Sequence, residues 1–170
     1  MTTQYFPTLN SMRAAIEKLG LVQAFYAGKP IENYYLDPDG VFYSVKETLK
    51  KGYRLKILRW TAARKKAANG TWRASYPRTT MYLNRRDTRR NCVMAHKMIA
   101  ETLVPPPDRY PGIKKKHWRE TPVPVQRMLL STLYVNHIDH DPTNFHPSNL
   151  EFVTPRENSI AARDHYRKAL

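Results

Sequence analysis

The stretch VNHIDHDPTNFHPSNLEFVTPREN, residues 135–158, decides how the rest of the chain is read. It holds three of the chain's six histidines, with two aspartates and four asparagines. Polar density of that order builds no core; it belongs to a solvated loop between strands or to a site. The flanks set the geometry. Residues 133–135 form a short β-type run that ends at Asn136-His137, and residues 150–153 form a second, with Leu150 and Phe152 on one face. Thr154-Pro155-Arg156-Glu157 then supplies a capping threonine, a proline at the first helical position and a glutamate three after the cap. This capping box puts Asn158 in the first turn of a helix running toward His165. Strand, loop, strand and helix in that order return Asn158 over the end of the first strand, where Asn136 and His137 sit.

Such a path gathers one imidazole and two carboxamide oxygens. A neutral imidazole can take a proton from water near pH 7. Amide oxygens are hard ligands suited to Mg²⁺ or a similar ion, which keeps several waters and also binds phosphate oxygens. Next to a strongly basic segment these parts point to metal-assisted hydrolysis of a phosphodiester.

The basic segment is plain in the totals. The 170 residues carry 29 Lys plus Arg against 14 Asp plus Glu, a net charge of +15. Residues 46–119 hold 21 basic and 4 acidic residues, so all the excess lies in the middle and the stretch quoted above is outside it. A polyanion is the expected partner. The length allows one domain, or a small domain with an appendage. The single cysteine, Cys92, excludes an intramolecular disulfide and fits a reducing compartment. No apolar run reaches the roughly 20 residues of a membrane span, and the N-terminus lacks a signal-peptide apolar region. A soluble cytoplasmic protein is expected.

Along the chain, LNSMRAAIEKLGLV (residues 9–22) reads as a short amphipathic helix with Asn10 or Ser11 as cap and Gly20 as stop. Asp39-Gly40 is a turn signal between strands at 34–36 and 41–45. Tyr53, Leu55 and Ile57 alternate with Arg54, Lys56 and Leu58, giving a strand with a cationic face that could meet phosphates or merely solvate a sheet. Residues 61–90 interleave many cations with Trp72, Tyr76 and Tyr82, and residues 93–104, VMAHKMIAETLV, look helical. The segment 105–126, PPPDRYPGIKKKHWRETPVPVQ, is expected to be a long irregular loop because its prolines remove donors and fix φ.

NHIDHDPTNFHPSNLEFVTPREN resembles the ββα-metal core of HNH endonucleases, in particular the phage and intron-encoded homing type. VMAHKMIAETLVP is similar to the helix that precedes that core in the family, and the strands around Asp39-Gly40 resemble those often found with it. The likeness is close from residue 135 onward and loose before it. It implies an α+β protein in which a small N-terminal β-rich DNA-binding region is followed by an HNH nuclease core. The implied division is an N-terminal helical extension at 1–30, a basic β-rich DNA-binding region at 31–92, and the core at 93–170 with a proline-rich basic insertion at 104–125. By the resemblance His137 would be the general base, and Asn136 and Asn158 would hold one divalent ion, Mg²⁺ or Mn²⁺. Asn149 would be the structural middle residue of the motif, with Asn144 a recurrent loop asparagine. The substrate would be double-stranded DNA, bound by a monomer, or by a dimer where both strands are cut. DNA contacts are expected from Arg54, Lys56, Arg64, Lys65, Lys66, Arg85, Arg86, Arg89, Arg90, Lys114, Lys115 and Lys116.

The sequence departs from the family in three places. The first metal position, often Asp, is Asn136. The loop reads Asp139-His140-Asp141 where the family has Asp-Gly-Asn, and the proline-rich insertion is long. His140, His146 and His165 are read as loop or surface residues, and His96 as a packing or DNA-contact residue. Other readings are a basic DNA- or RNA-binding protein on a non-catalytic scaffold, and a zinc site from Cys92, His96, His137 and His140, which would consume the base.

Overall fold

A computed structural model describes residues 3–66, 70, 72–84 and 89–168, with the side chains at 62–65, 72–74, 164–166 and 168 left out. The N-terminal part is built on a five-stranded antiparallel sheet. Its strands are β1 (Thr3–Phe6), β2 (Val22–Tyr26), β3 (Lys29–Leu36), β4 (Phe42–Thr48) and β5 (Gly52–Leu58), in the order β1-β5-β4-β3-β2. Asp37 makes the β3–β4 turn at Asp39-Gly40 by accepting hydrogen bonds from the N–H groups of Asp39 and Val41. Residues 1–30 therefore contribute both edge strands as well as a helix. That helix, α1 (Leu9–Lys18), is capped one turn earlier than the sequence suggested, by Thr8 in a reciprocal pair with Ser11.

The two faces of this sheet bury different things. On one, Met12 and Leu21 pack over Val45 and Leu55. On the other, Leu36 and Phe42 join the main core with Ala95, Met98, Ile99 and Ala100 of α2 (Ala95–Leu103). Leu150 from the C-terminal part belongs to the same core. The chain segments drawn at 30/31 and 92/93 thus share one buried cluster, and residue 92 falls inside a strand.

That strand is β8 (Asn91–Met94), which pairs with β7 (Trp72–Met81), itself paired with β6 (Thr61–Lys66). The basic run of residues 61–90, which shows no strand pattern in the sequence, supplies β6 and β7 of this three-stranded sheet. Its sequence hides the strands because cations and alanines occupy positions where β-branched residues normally signal them.

The expectation of an irregular loop across 105–126 is corrected by two helices, α3 (Lys115–Glu120) and α4 (Val123–Leu130). Prolines do not prevent α4 because Pro122 is its N-cap and Pro124 lies in the first turn, where no intrahelical N–H bond is lost. The KKKHWR head is helical because Trp118 is buried and anchors it: the indole N–H donates to the Pro107 carbonyl at 2.7 Å, and Gln126 donates to the Trp118 carbonyl at 2.8 Å. Among the described residues there are five α-helices, none long and apolar enough to cross a membrane. The fold is mixed α and β with antiparallel sheets.

Candidate active site

The quoted stretch forms β9 (Tyr134–His137), a loop, β10 (Leu150–Val153) and α5 (Pro155–Lys168). The two strands pair antiparallel with Leu150 opposite His137 and Glu151 opposite Asn136. Thr154 caps α5: its Oγ1 accepts from the Glu157 N–H at 3.2 Å while the Glu157 carboxylate accepts from the Thr154 N–H at 2.8 Å. That reciprocal pair fixes where the helix begins. Asn158, half-buried, follows in its first turn, and α5 packs on both strands.

The loop is held by its own polar groups. Asn149 is buried, and its amide donates to the Asp139 carboxylate at 2.9 Å and to the Asn144 carbonyl at 2.8 Å, while its Oδ1 accepts from the Asp139 N–H. Asn144 donates to the other Asp139 oxygen at 2.6 Å. These donors, the Asn149 amide foremost, hold the Asp139 carboxyl below the usual carboxylate range. His140 ends a turn closed on the His137 carbonyl and has φ of +61°. That left-handed backbone is one that glycine adopts without the steric cost a histidine Cβ carries. His146 caps the short helical turn Pro147–Asn149, accepting from the Ser148 N–H. Phe145 reaches out of the loop to Trp60, 6.3 Å between ring centroids, and Trp60 stacks on Phe42 at 4.8 Å, which stacks on Tyr34 at 5.5 Å.

His137, at the end of β9, is 4 % exposed. Tyr76 of β7 stacks on its ring at 5.6 Å, and His96 of α2 lies 5.2 Å away and 4.5 Å from Tyr76. Burial pushes the His137 imidazole below its ordinary value, against the pull of Asp139 and Asp141. Burial likewise drives His96 down to about 4, with the neighbouring His137 and Lys97 adding to it. Both rings are neutral at pH 7. The Nε2 of His137 and the Nδ1 of His96 are buried with no hydrogen-bond partner. Two such atoms in adjacent rings ask for a reason, since buried polar groups are otherwise satisfied.

Asn136, half-buried, donates through Nδ2 to the Glu151 carboxylate at 2.9 Å, which leaves its Oδ1 free to accept. Oxygen donors of this kind suit a hard divalent ion that retains waters, so Asn136 and Asn158 are chemically fit for Mg²⁺ or Mn²⁺. The zinc reading from Cys92, His96, His137 and His140 finds no such site: Cys92 is exposed while His96 is buried, and no three His, Cys, Asp or Glu side chains converge among the described residues.

The family comparison bears on this arrangement. Residues 129–160 match a family model described as HNH endonuclease. This segment belongs to the HNH endonuclease family. The match takes in β9, the loop, β10 and the first turn of α5, and so includes Asn136, His137, Asn144, Asn149 and Asn158. No curated protein and no solved structure matches the chain.

Outside the HNH segment, Arg54 and Lys56 lie half-buried on β5, and Lys66, Arg89, Arg90, Lys114, Lys115 and Lys116 are exposed. Arg64 and Lys65 lie on β6 with side chains outside the described set, as is that of His165 on α5, and Arg85 and Arg86 fall outside the described residues. Three residues of the HNH neighbourhood have no place beside Asn136 and His137 in the sequence reading. Glu151 sits opposite Asn136 by register, which the alternation of β10 could have revealed. His96 was noticed but given no place beside His137, and Tyr76 comes from a strand that gave no signal.

Proposed function

We propose that the protein is a metal-dependent endonuclease of the homing type that hydrolyses phosphodiester bonds in double-stranded DNA. The observation that carries this reading is a neutral, buried imidazole at the end of β9, next to a strand-loop-strand-helix that matches the HNH family. His137 is the general base: it takes a proton from the water that attacks phosphorus, and the bond from phosphorus to the 3′ oxygen breaks. A divalent ion held by Asn136 and Asn158 would neutralise charge on the phosphate and the departing oxygen. His96 is a positioning residue. A small rotation that lets its Nδ1 accept from the Nε2–H of His137 would satisfy both orphaned nitrogens and fix the tautomer, leaving the other ring nitrogen as base. Asn149 and Asn144 keep the loop in shape through Asp139, and the cations of residues 46–119 bind the DNA backbone.

The test is a nicking assay on supercoiled plasmid with Mg²⁺, Mn²⁺ or chelator, run with wild type and His137→Ala side by side. Conversion to open circle by wild type with metal, stopped by chelator and lost in the variant, is expected. Plasmid left intact by wild type under every metal, with a cognate site present, would overturn the reading in favour of a non-cutting nucleic-acid-binding protein.

A further inference from the structure

Between the five-stranded sheet and the far end of β7 lies a cleft of about 610 Å³. Lys46, Arg54 and Lys56 line its floor, and Thr80, Tyr82 and Arg90 stand on its wall. The floor is electrostatically costly. Lys46 and Arg54 are directly opposite each other in the β4–β5 register, an arrangement of like charges that destabilises a sheet. Glu32 is the one acid among the described lining residues, and the Arg54 Nε is buried without a partner among them. A fold that keeps two opposed cations and an unsatisfied guanidinium nitrogen in one cleft is suited to an anion that would relieve both. Apart from the apolar Val45, Leu58 and Met81, the other side chains are of the types that hydrogen-bond phosphate and sugar oxygens, namely threonine, tyrosine, serine and asparagine.

The cleft is also linked to His137. Tyr76, stacked on that ring, and Thr80, on the cleft wall, belong to the same strand and lie four residues apart. At about 3.3 Å per residue this is about 13 Å. Along one DNA strand, at about 3.4 Å per base pair, it corresponds to about four base pairs.

We propose that this cleft holds the sugar-phosphate edge of duplex DNA about four base pairs to one side of the phosphate that is cut. The position relative to the cut rests on the nuclease reading above; the binding does not. The cleft supplies at least two of the phosphate contacts, through Lys46 and Lys56 with Arg54 beneath them.

Binding is measured with the full chain carrying His137→Ala, on a short fluorescent DNA duplex across a salt series. Adding Lys46→Glu and Lys56→Glu is expected to weaken binding at least tenfold at low salt and to flatten the log affinity against log salt slope by about 2, near 0.9 per lost contact. The milder Lys56→Gln alone should flatten it by about 1. Arg13→Ala with Lys18→Ala, on α1 over the opposite face of the sheet, should leave the slope unchanged. Melting of the Lys46→Glu variant is expected at or above wild type, because a glutamate opposite Arg54 replaces repulsion by attraction. Wild-type slope and affinity in the cleft variants, an equal loss in the α1 variant, or tighter binding of duplex RNA than of DNA would each overturn the proposal. Where wild type nicks a mapped site, phosphate-ethylation interference should appear about four base pairs to one side and vanish in the cleft variants; interference that persists would overturn the placement. Plasmid left uncut by wild type removes the nuclease reading and leaves the salt slopes to decide the cleft.

Discussion

Between β9 and α5 the side-chain hydrogen bonds span no more than 15 positions, as those of Asn136 to Glu151 and of Asn149 and Asn144 to Asp139, whereas His137 packs on the distant Tyr76 and His96 and His146 lies 3.9 Å from Asp39. The cations of residues 46–119 are carried differently. Arg54 and Lys56 sit on a strand whose neighbour on one side is β1, some 50 residues earlier, and Arg90 meets them across a cleft between two sheets. On the proposed function, the loop beside His137 is shaped by a short polar circuit, whereas the DNA-binding surface would be assembled by long-range pairing. Damage should therefore separate along the same line: changes in the circuit should affect turnover at constant affinity, and changes in the surface should affect affinity and its salt dependence.

The largest break is expected at His137. His137→Ala should lower the cleavage rate by about 10²–10⁴-fold, with binding of duplex DNA within about twofold, measured by plasmid nicking and by anisotropy. Asn136→Ala should behave alike, and equal cleavage by that variant would remove it from the metal site. On the surface side, replacing Arg85, Arg86, Arg89 and Arg90 by alanine should flatten the salt slope by up to about 3.6 if each contacts a phosphate. An unchanged slope would shift the DNA track to the cleft floor and the α3 lysines.

Phe145→Ala tests whether the two plans are as separate as they look. Removing the ring that docks on Trp60 should cost about 2–3 kcal/mol in urea unfolding, and the cost should fall on the whole protein in one transition, since the same core spans both parts. Two resolved transitions would mean the regions fold independently.

Acid should act on the histidine pair. His96 and His137 face each other, Tyr76, Lys97, Asp139 and Asp141, and burial depresses both imidazoles. Above pH 6.5 the rings are neutral in folded and unfolded chains alike and the stability is whole. As pH falls from 6.5 toward about 4, the unfolded chain takes up protons that the folded one resists, so stability is lost across that window, on the order of 2–3 kcal/mol from His96. His96→Gln should lose less stability than wild type between pH 7 and 4.5 in urea titrations. Cleavage should climb with pH through a midpoint below 6.5 and level off at neutral pH; a flat profile from pH 5 to 8 at a chemistry-limited rate would point to another base. The same variant, if His96 positions the base, should lower kcat while leaving KM unchanged.

The smallest effect is local. His140→Gly should relieve about 1 kcal/mol of left-handed strain and return part of it as chain entropy, giving a gain below about 1 kcal/mol.

The elements of the HNH segment are almost wholly legible in the sequence. Thr154, Pro155 and Glu157 marked the start of α5, the alternation of 150–153 marked β10, and the density of asparagine and aspartate marked the loop. All of these are contacts between near neighbours. The hairpin at Asp39-Gly40 was legible for the same reason. What stayed hidden depends on partners far away. Trp118 looked like part of a loose basic head until the Pro107 carbonyl and Gln126 gave it a place. Strands β6 and β7 lack the apolar alternation that announces a strand. Tyr76 therefore could not be put over His137, and burial of that imidazole could not be foreseen.

The ladder of rings from Tyr34 through Phe42 and Trp60 to Phe145 has a consequence for anyone who would cut and paste the HNH segment. A graft limited to residues 129–160 would leave Phe145 without the Trp60 ring and Leu150 without the rest of its buried cluster. The portable unit, whether moved by recombination or by a protein engineer, starts no later than β3.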